Sequence, residues 1–132
     1  IPQWSPIDES EGTWQNFQHT EQQARLARGW ASIGADLIIG RNSGTSNLIQ
    51  DMEIYQNVPI FYSVGSLSAV TNSAEVGLLV AGKFAKDSLE IFALPTQQEN
   101  GKPKLLIGEE KKSILEKLYQ KNFGHKLIIH YN

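Results

Sequence analysis

The chain has 132 residues, of which 40% are apolar and 20% charged, and its formal net charge is −2. This composition is typical of a globular domain and excludes a disordered chain. The slightly acidic balance supplies no positive field for nucleic acid, and no apolar run is long enough to span a bilayer. The absence of cysteine excludes disulfides, thiolate metal sites and thiol nucleophiles.

The first half of the chain predicts a helix, a short strand and a hairpin. Thr20, with Gln23 three residues later, has the form of a capping box, and Gly34 stands where a helix commonly ends. Two β-rich segments separated by Gln56 and Asn57 predict a tight hairpin. The predicted elements are a helix at about 20–33, a buried strand at 36–40, a polar loop at 41–47 and a hairpin of 52–55 with 58–64.

The second half predicts another hairpin and an amphipathic helix. Ile114, Leu115, Leu118 and Tyr119 recur at helical spacing and leave a charged opposite face. The predicted elements are strands at 76–84 and 89–94, an edge strand at 102–107, a helix from 108 to about 124 and a last strand at 127–131. This order predicts an α/β (α+β) fold class with mixed strands.

Few residues suggest chemistry by spacing alone. His19, His125 and His130 lie outside the spacing that builds a metal site on one element, so we interpret each as structural or solvent-facing. Ser63 lacks the preceding glycine of a nucleophile elbow, and a turn at the end of a strand is the simpler interpretation. Asp51 and Glu53, two residues apart, are interpreted as solvated charges.

The loop at 41–47 is the most suggestive segment. It lacks the Lys-Ser/Thr pair of a phosphate loop, but it follows a buried strand, and ligands of α/β folds collect at such strand ends. Arg41 could hold a carboxylate or phosphate through two parallel hydrogen bonds. An ordinary connection with a solvent-facing arginine is the alternative interpretation.

Two segments, 34–40 (GADLIIG) and 53–66 (EIYQNVPIFYSVGS), resemble the capsule-synthesis CapA family, and the likeness extends over most of the chain. The family pattern is a GADLVIG strand, a His-His-Pro-His loop and a strand pair similar to EIYKGKPIFYSLGN. Its members are associated with poly-γ-glutamate capsule formation. The resemblance implies the C-terminal half of a layered α/β/β/α sandwich similar to the calcineurin-like metallophosphoesterases.

The chain departs from this pattern at the family's metal-binding histidines. Arg41 and Asn42 follow Gly40 where the family has histidines, Asn47 aligns with the last histidine of the loop, and Gln3-Trp4-Ser5 resembles the family's His-Trp-Gly. Amide oxygens are weak ligands for transition metals compared with imidazole. We therefore expect no metal and no catalytic residue. The expected ligand-binding cleft consists of Gln3, Trp4, Arg41, Asn42 and Asn47.

The resemblance covers only the second half of the family's domain. We therefore expect residues 1–132 to form a single unit, part of a larger CapA-like domain, and the initial Ile1 suggests a fragment of a longer polypeptide. A half sheet would leave an open edge. Its expected partner is the missing N-terminal half or a second copy of this chain.

Three functions remain open from the sequence. The first is a non-catalytic binding or assembly component of capsular-polymer synthesis, outside the cytoplasm at the cell envelope, with an anionic surface polymer as a possible partner. The second is a metal-dependent phosphoesterase-like hydrolase, with a divalent pair such as Mn or Fe held mostly by the missing half. The third is an interaction module that uses Trp4, Trp14 and Trp30 and binds no ligand. Helical spacing predicts that Trp30 is buried.

Overall fold

The computed structural model describes residues 3–4, 18–42, 49–65, 76–119 and 126–130, excluding the side chains of Gln3, Trp4, Asn42, Lys126 and His130. The chain divides into two compact units, residues 1–65 and 66–132. Each unit is described by itself below, and the expectation of one 132-residue unit stays a prediction. No helix in the described ranges is long and apolar enough to cross a membrane.

The first unit combines a helix with short, mostly parallel strands. β1 pairs in parallel with β3, β2 pairs in parallel with β5, and β4 pairs with β5 in antiparallel orientation. The chain therefore passes through α1 between two parallel strands. The elements are β1 (Gln3–Trp4), α1 (Glu21–Ser32), β2 (Ile38–Ile39), β3 (Arg41–Asn42), β4 (Met52–Tyr55) and β5 (Val58–Phe61).

The predicted capping box starts α1. The Thr20 hydroxyl accepts a hydrogen bond from the Gln23 amide at 3.2 Å, and the Gln23 side-chain oxygen accepts one from the Thr20 amide at 2.8 Å. These bonds satisfy two amide groups that have no partner within the helix. Just past the other end, Gly34 adopts φ +109°, which suits glycine because it has no Cβ. The predicted helix is thus confirmed to within one residue at each end.

Small residues let α1 pack closely on the sheet. Ala24, Ala27 and Ala31 are buried in one cluster with Ile60 and Tyr62 of the sheet side. Trp30 was expected in this core, but 37% of it is exposed, so that prediction is wrong. The reason is that the alanines occupy the buried face, and Trp30 falls on the adjoining face.

The hairpin of β4 and β5 turns at Gln56 and Asn57, as predicted. Their φ angles are +50° and +63°, the left-handed conformation that two-residue turns of this twist require at both central positions. The four-residue register from Met52↔Phe61 to Tyr55↔Val58 is continuous. The hairpin therefore forms without the glycine that usually follows asparagine in such turns.

The second unit is an antiparallel sheet with one helix. β7 is its central strand, because β6 pairs along one edge and both β8 and β9 pair along the other. β7 is longer than the predicted 89–94, since its last residues pair with β8. The elements are β6 (Val76–Phe84), β7 (Ser88–Glu99), β8 (Lys102–Leu105), α2 (Gly108–Tyr119) and β9 (Lys126–His130).

One face of β7 carries the core of this unit. Leu89, Ile91 and Ala93 alternate with half-exposed neighbours and are buried, and Leu115 and Leu118 are buried on α2, which packs against β7. α2 ends at residue 119, and the rest of the predicted helix lies outside the described residues. Helices with mixed and antiparallel sheets confirm the predicted α+β class.

Candidate functional site

The structure brings two of the predicted cleft segments together. Gln3 lies opposite Arg41 and Trp4 opposite Asn42 in the parallel pair of β1 and β3. Parallel strands share a carboxyl edge, so both segments end on the same side of the sheet. Arg41 is exposed, and Asn47 lies outside the described residues. We call the paired segments Gln3–Trp4 and Arg41–Asn42 the Arg41 edge.

Gly40 sets where this edge begins. Its amide donates to the Phe61 carbonyl at 2.7 Å, and its carbonyl accepts from the Val64 amide at 3.3 Å. The chain therefore follows β5 up to Gly40 and pairs with β1 immediately after it. Arg41 thus lies just past the carboxyl ends of the parallel strands β2 and β5, the place where α/β sheets commonly bind ligands.

A buried acid-imidazole pair lies on the other side of β5. The Asp51 carboxylate is buried, with 2% of the residue exposed, and its Oδ1 accepts from the His19 backbone amide at 2.9 Å and lies 2.8 Å from His19 Nδ1. The His19 ring stacks on the Tyr62 ring, with centroids 3.9 Å apart. The interpretation of Asp51 as a solvated charge is therefore wrong, since the carboxylate fastens the start of α1 to the sheet.

Asp51 and the Arg41 edge flank the same stretch of chain. The Asp51 carbonyl accepts from the Tyr62 amide, and Gly40 is bonded to Val64 on the opposite side. Asp51 and Gly40 therefore lie on opposite sides of residues 62–64. Since neighbouring strands are about 5 Å apart, the two segments are separated by roughly 10 Å. No local pattern indicates that His19 and Asp51 are neighbours, because they are 32 residues apart in the chain.

Glu53 is also paired and not simply solvated. Its two carboxylate oxygens accept from Arg28 Nε and a terminal guanidinium nitrogen, both at 2.9 Å, and Tyr62 donates its hydroxyl to Oε1 at 2.5 Å. The Arg28 guanidinium lies 5.7 Å from the Tyr55 ring centre. This bidentate arrangement fixes the guanidinium plane and ties α1 to β4 and β5.

The pairing shifts the acid-base equilibria of this group. Burial raises the pKa of the Glu53 carboxyl, but the hydrogen bonds from Arg28 and Tyr62 and the charge of Arg28 oppose it, and the net pKa is lowered. Burial, followed by the bond to Glu53, raises the pKa of the Tyr62 hydroxyl. Glu53 is therefore an anion that the fold stabilises.

Acid should weaken the first unit through Glu53. A carboxyl with a lowered folded pKa stabilises the fold above its unfolded pKa, and this contribution disappears as the pH falls through the folded pKa. We expect the urea midpoint to decrease as the pH is lowered from neutrality through the acidic range. In Glu53→Gln the decrease should be smaller, because the amide keeps its size but has no charge to lose. An equal acid dependence in both proteins would contradict this assignment.

Two glutamines form a second buried contact between α1 and the sheet side. The Gln23 and Gln50 side-chain amides each donate to the oxygen of the other at 3.0 Å, and Gln50 also donates to the Gln18 carbonyl at 3.1 Å. Both glutamines are buried. The sequence indicated Gln23 only as part of the capping box. Its contact with Gln50 was not predicted, because the two residues are 27 positions apart.

The remaining candidates from the sequence are Ser63, His125 and His130. Ser63 is buried, and its hydroxyl accepts from the Gly65 amide at 3.3 Å, which is consistent with a turn. His125 lies outside the described residues, as does the side chain of His130. Within the described ranges, no three His, Cys, Asp or Glu side chains are grouped to hold a metal ion.

Fold and site together define an α+β protein with an exposed arginine at the carboxyl edge of parallel strands. Residues 11–70 match the family model described as bacterial capsule synthesis protein PGA_cap, a little under half of the chain. The match confirms the resemblance to the capsule-synthesis family over these residues. No curated protein and no solved structure matches the chain.

Proposed function

We propose that this protein is a non-catalytic component of capsular-polymer synthesis at the cell envelope, and that it binds an anionic, poly-γ-glutamate-like polymer at the Arg41 edge. The family match supports the link to capsule synthesis. The layered metallophosphoesterase-like arrangement, with this chain as its second half, is part of the proposal. The observation that carries the binding role is the parallel pairing of Gln3–Trp4 with Arg41–Asn42.

That pairing brings together positions at which the family resemblance places histidines. The residue types at these positions include Gln3 and Asn42, and amides are poor ligands for the divalent transition metals that imidazole holds well. The donor set therefore does not fit a metal pair, and no catalytic step through a metal is proposed.

Arg41 supplies the chemistry for an anion at the same place. Arg41 is exposed at the start of β3, whereas the Arg28 guanidinium is already held by Glu53. A guanidinium can donate two parallel hydrogen bonds to one carboxylate, and it remains charged at every physiological pH. A polymer with a carboxylate on every repeat offers many such partners, so weak individual contacts can add up along the chain.

Arg41→Ala should weaken binding of purified poly-γ-glutamate by roughly tenfold, because a charge-assisted bidentate contact is lost. Arg41→Lys should recover only part of the loss, since an ammonium cannot form the paired contact. Isothermal titration calorimetry at low ionic strength would measure these affinities. Arg25→Ala is the matched control, because Arg25 is an exposed arginine on a different element, α1.

Two outcomes would overturn the proposal. Equal losses in Arg41→Ala and Arg25→Ala, or no binding by the unaltered protein, would remove the polymer site from the Arg41 edge.

Elemental analysis after incubation with Mn, Fe, Zn or Ca and desalting tests the non-catalytic part. We expect no stoichiometric metal, and one or two tightly held ions per chain would favour a hydrolase instead.

A further inference from the structure

β6 is a long edge strand whose outer side has no partner in the described part of the chain. All nine residues from Val76 to Phe84 pair with β7. β8 and β9 pair with the opposite edge of β7, so neither can reach the outer side of β6. A strand in this position presents a row of backbone donors and acceptors that can pair with another strand.

The two edges of this sheet are protected very differently. β8 carries Lys102, Pro103 and Lys104 in consecutive positions, and all three are exposed. Lysine and proline on an edge strand prevent pairing with a further strand. β6 has no proline, and Lys83 is its only charged residue. Among the described residues, the sheet is thus protected against strand addition on the β8 side and unprotected on the β6 side.

The open edge also exposes apolar side chains. Phe84 is 60% exposed and Leu79 is 39% exposed, and residues 81–84 are all exposed. Phe84 lies opposite Leu89, a fully buried residue of β7, so its ring stands at the margin of the core face. Another strand beside β6 would extend that face and cover the ring.

We propose that β6 pairs in antiparallel orientation with β6 of a second copy of this chain, about a two-fold axis at Val80. This register places Leu79 opposite Ala81, Leu78 opposite Gly82 and Val76 opposite Phe84 of the second copy. An antiparallel pair of identical strands has two-fold symmetry, so the same surface of each copy contacts the other. Two-fold symmetry is the commonest symmetry of protein dimers. The result is one continuous sheet through both copies.

The charge pattern of β6 favours a second copy as the occupant. In this register Lys83 lies opposite Gly77 of the second copy, so the one charge of the strand does not face itself. Like charges directly opposite each other destabilise antiparallel pairs, whereas a glycine leaves room for a long side chain. Phe84 lies opposite Val76, an aromatic and β-branched pair of the kind that stabilises neighbouring strands.

The register is tested with two double variants of the full chain. Leu79→Lys with Ala81→Lys creates two facing pairs of like charge across the axis, and Leu79→Lys with Ala81→Glu creates two facing pairs of opposite charge. Both positions are exposed in one copy, so both variants should keep the fold. Circular dichroism melting would verify that their folds match.

Sedimentation velocity across roughly a hundredfold range of protein concentration gives the oligomeric state. We expect the unaltered chain to form a dimer, the like-charge variant to dimerise roughly tenfold more weakly, and the opposite-charge variant to keep the dimer. A folded monomer at every concentration would overturn the proposal. Equal weakening in both variants would overturn the register, and with it the proposed interface.

This experiment is independent of polymer binding. Lys102→Ala, on the protected edge, is the matched control and should leave the dimer unchanged. If this variant alone shifted the association, the interface would lie along β8, and the proposal would be wrong. The dimer is measured without polymer, so its failure leaves the Arg41 test intact.

Discussion

Replacing Tyr62 by alanine should lower the free energy of unfolding of the first unit by about 4 kcal/mol. Tyr62 is fully buried, packs in the cluster formed by α1 and the sheet, and stacks on the His19 ring. The truncation removes a large apolar surface and leaves a cavity that the surrounding backbone cannot fill. It also removes the hydroxyl that donates to Glu53.

Tyr62→Phe separates the ring from its hydroxyl. The ring and its stacking remain, so the expected loss is smaller, about 1.5 to 3 kcal/mol, the value of a hydrogen bond to a charged group. Urea unfolding followed by far-UV circular dichroism would measure both variants. Ile33→Ala is the control, because Ile33 is 84% exposed and its truncation should change little. Comparable losses in the alanine and phenylalanine variants would show that the ring does not carry the packing.

Replacing either glutamine of the buried pair should cost about 2 kcal/mol, and replacing both should cost less than the sum. Gln50→Met keeps the length of the side chain but leaves the Gln23 amide without this partner, and Gln23→Met does the same to Gln50. A buried polar group that loses its partner carries the whole cost of desolvation. In the double variant neither amide is left behind, and two apolar side chains meet.

The double-mutant cycle measures this coupling directly. We expect an interaction energy of about 1 kcal/mol or more between the two sites in urea unfolding. The double variant still costs some stability, since Gln23 also closes the capping box and Gln50 also donates to Gln18. Strictly additive losses would mean that the two amides act independently. Arg25→Met is the control for a methionine on α1, because Arg25 is exposed.

The two acidic residues of the first unit were wrongly predicted to be solvated, because their partners are distant in the sequence. Asp51 and Glu53 look like ordinary surface charges in the sequence, because acidic residues on short strands usually face solvent. Their partners are His19 and Arg28, which lie 32 and 25 residues away. Only the packing of α1 across the sheet brings these groups together. No local pattern contains that information.

Local physical chemistry determined several elements. The reciprocal bonds of Thr20 and Gln23 involve residues three apart, so the start of α1 was visible in the sequence and was confirmed. The turn at Gln56 and Asn57 likewise depends on two residues and their neighbours. The family resemblance was also readable, because it lies in short contiguous segments, and the match over residues 11–70 confirmed it.

Tertiary structure decided what depends on contacts between distant segments. It paired Gln3–Trp4 with Arg41–Asn42, buried Asp51, and left Trp30 partly exposed beside a face of alanines. Within the described ranges it also left the outer side of β6 without a partner strand, whereas the exposed lysines and proline of β8 protect the other edge. The sequence by itself determined the helices, the hairpins and the residue types at the Arg41 edge, because these depend on near neighbours. Burial and the pairing of distant residues could not be predicted from the sequence, because both depend on residues that come together only in the folded chain.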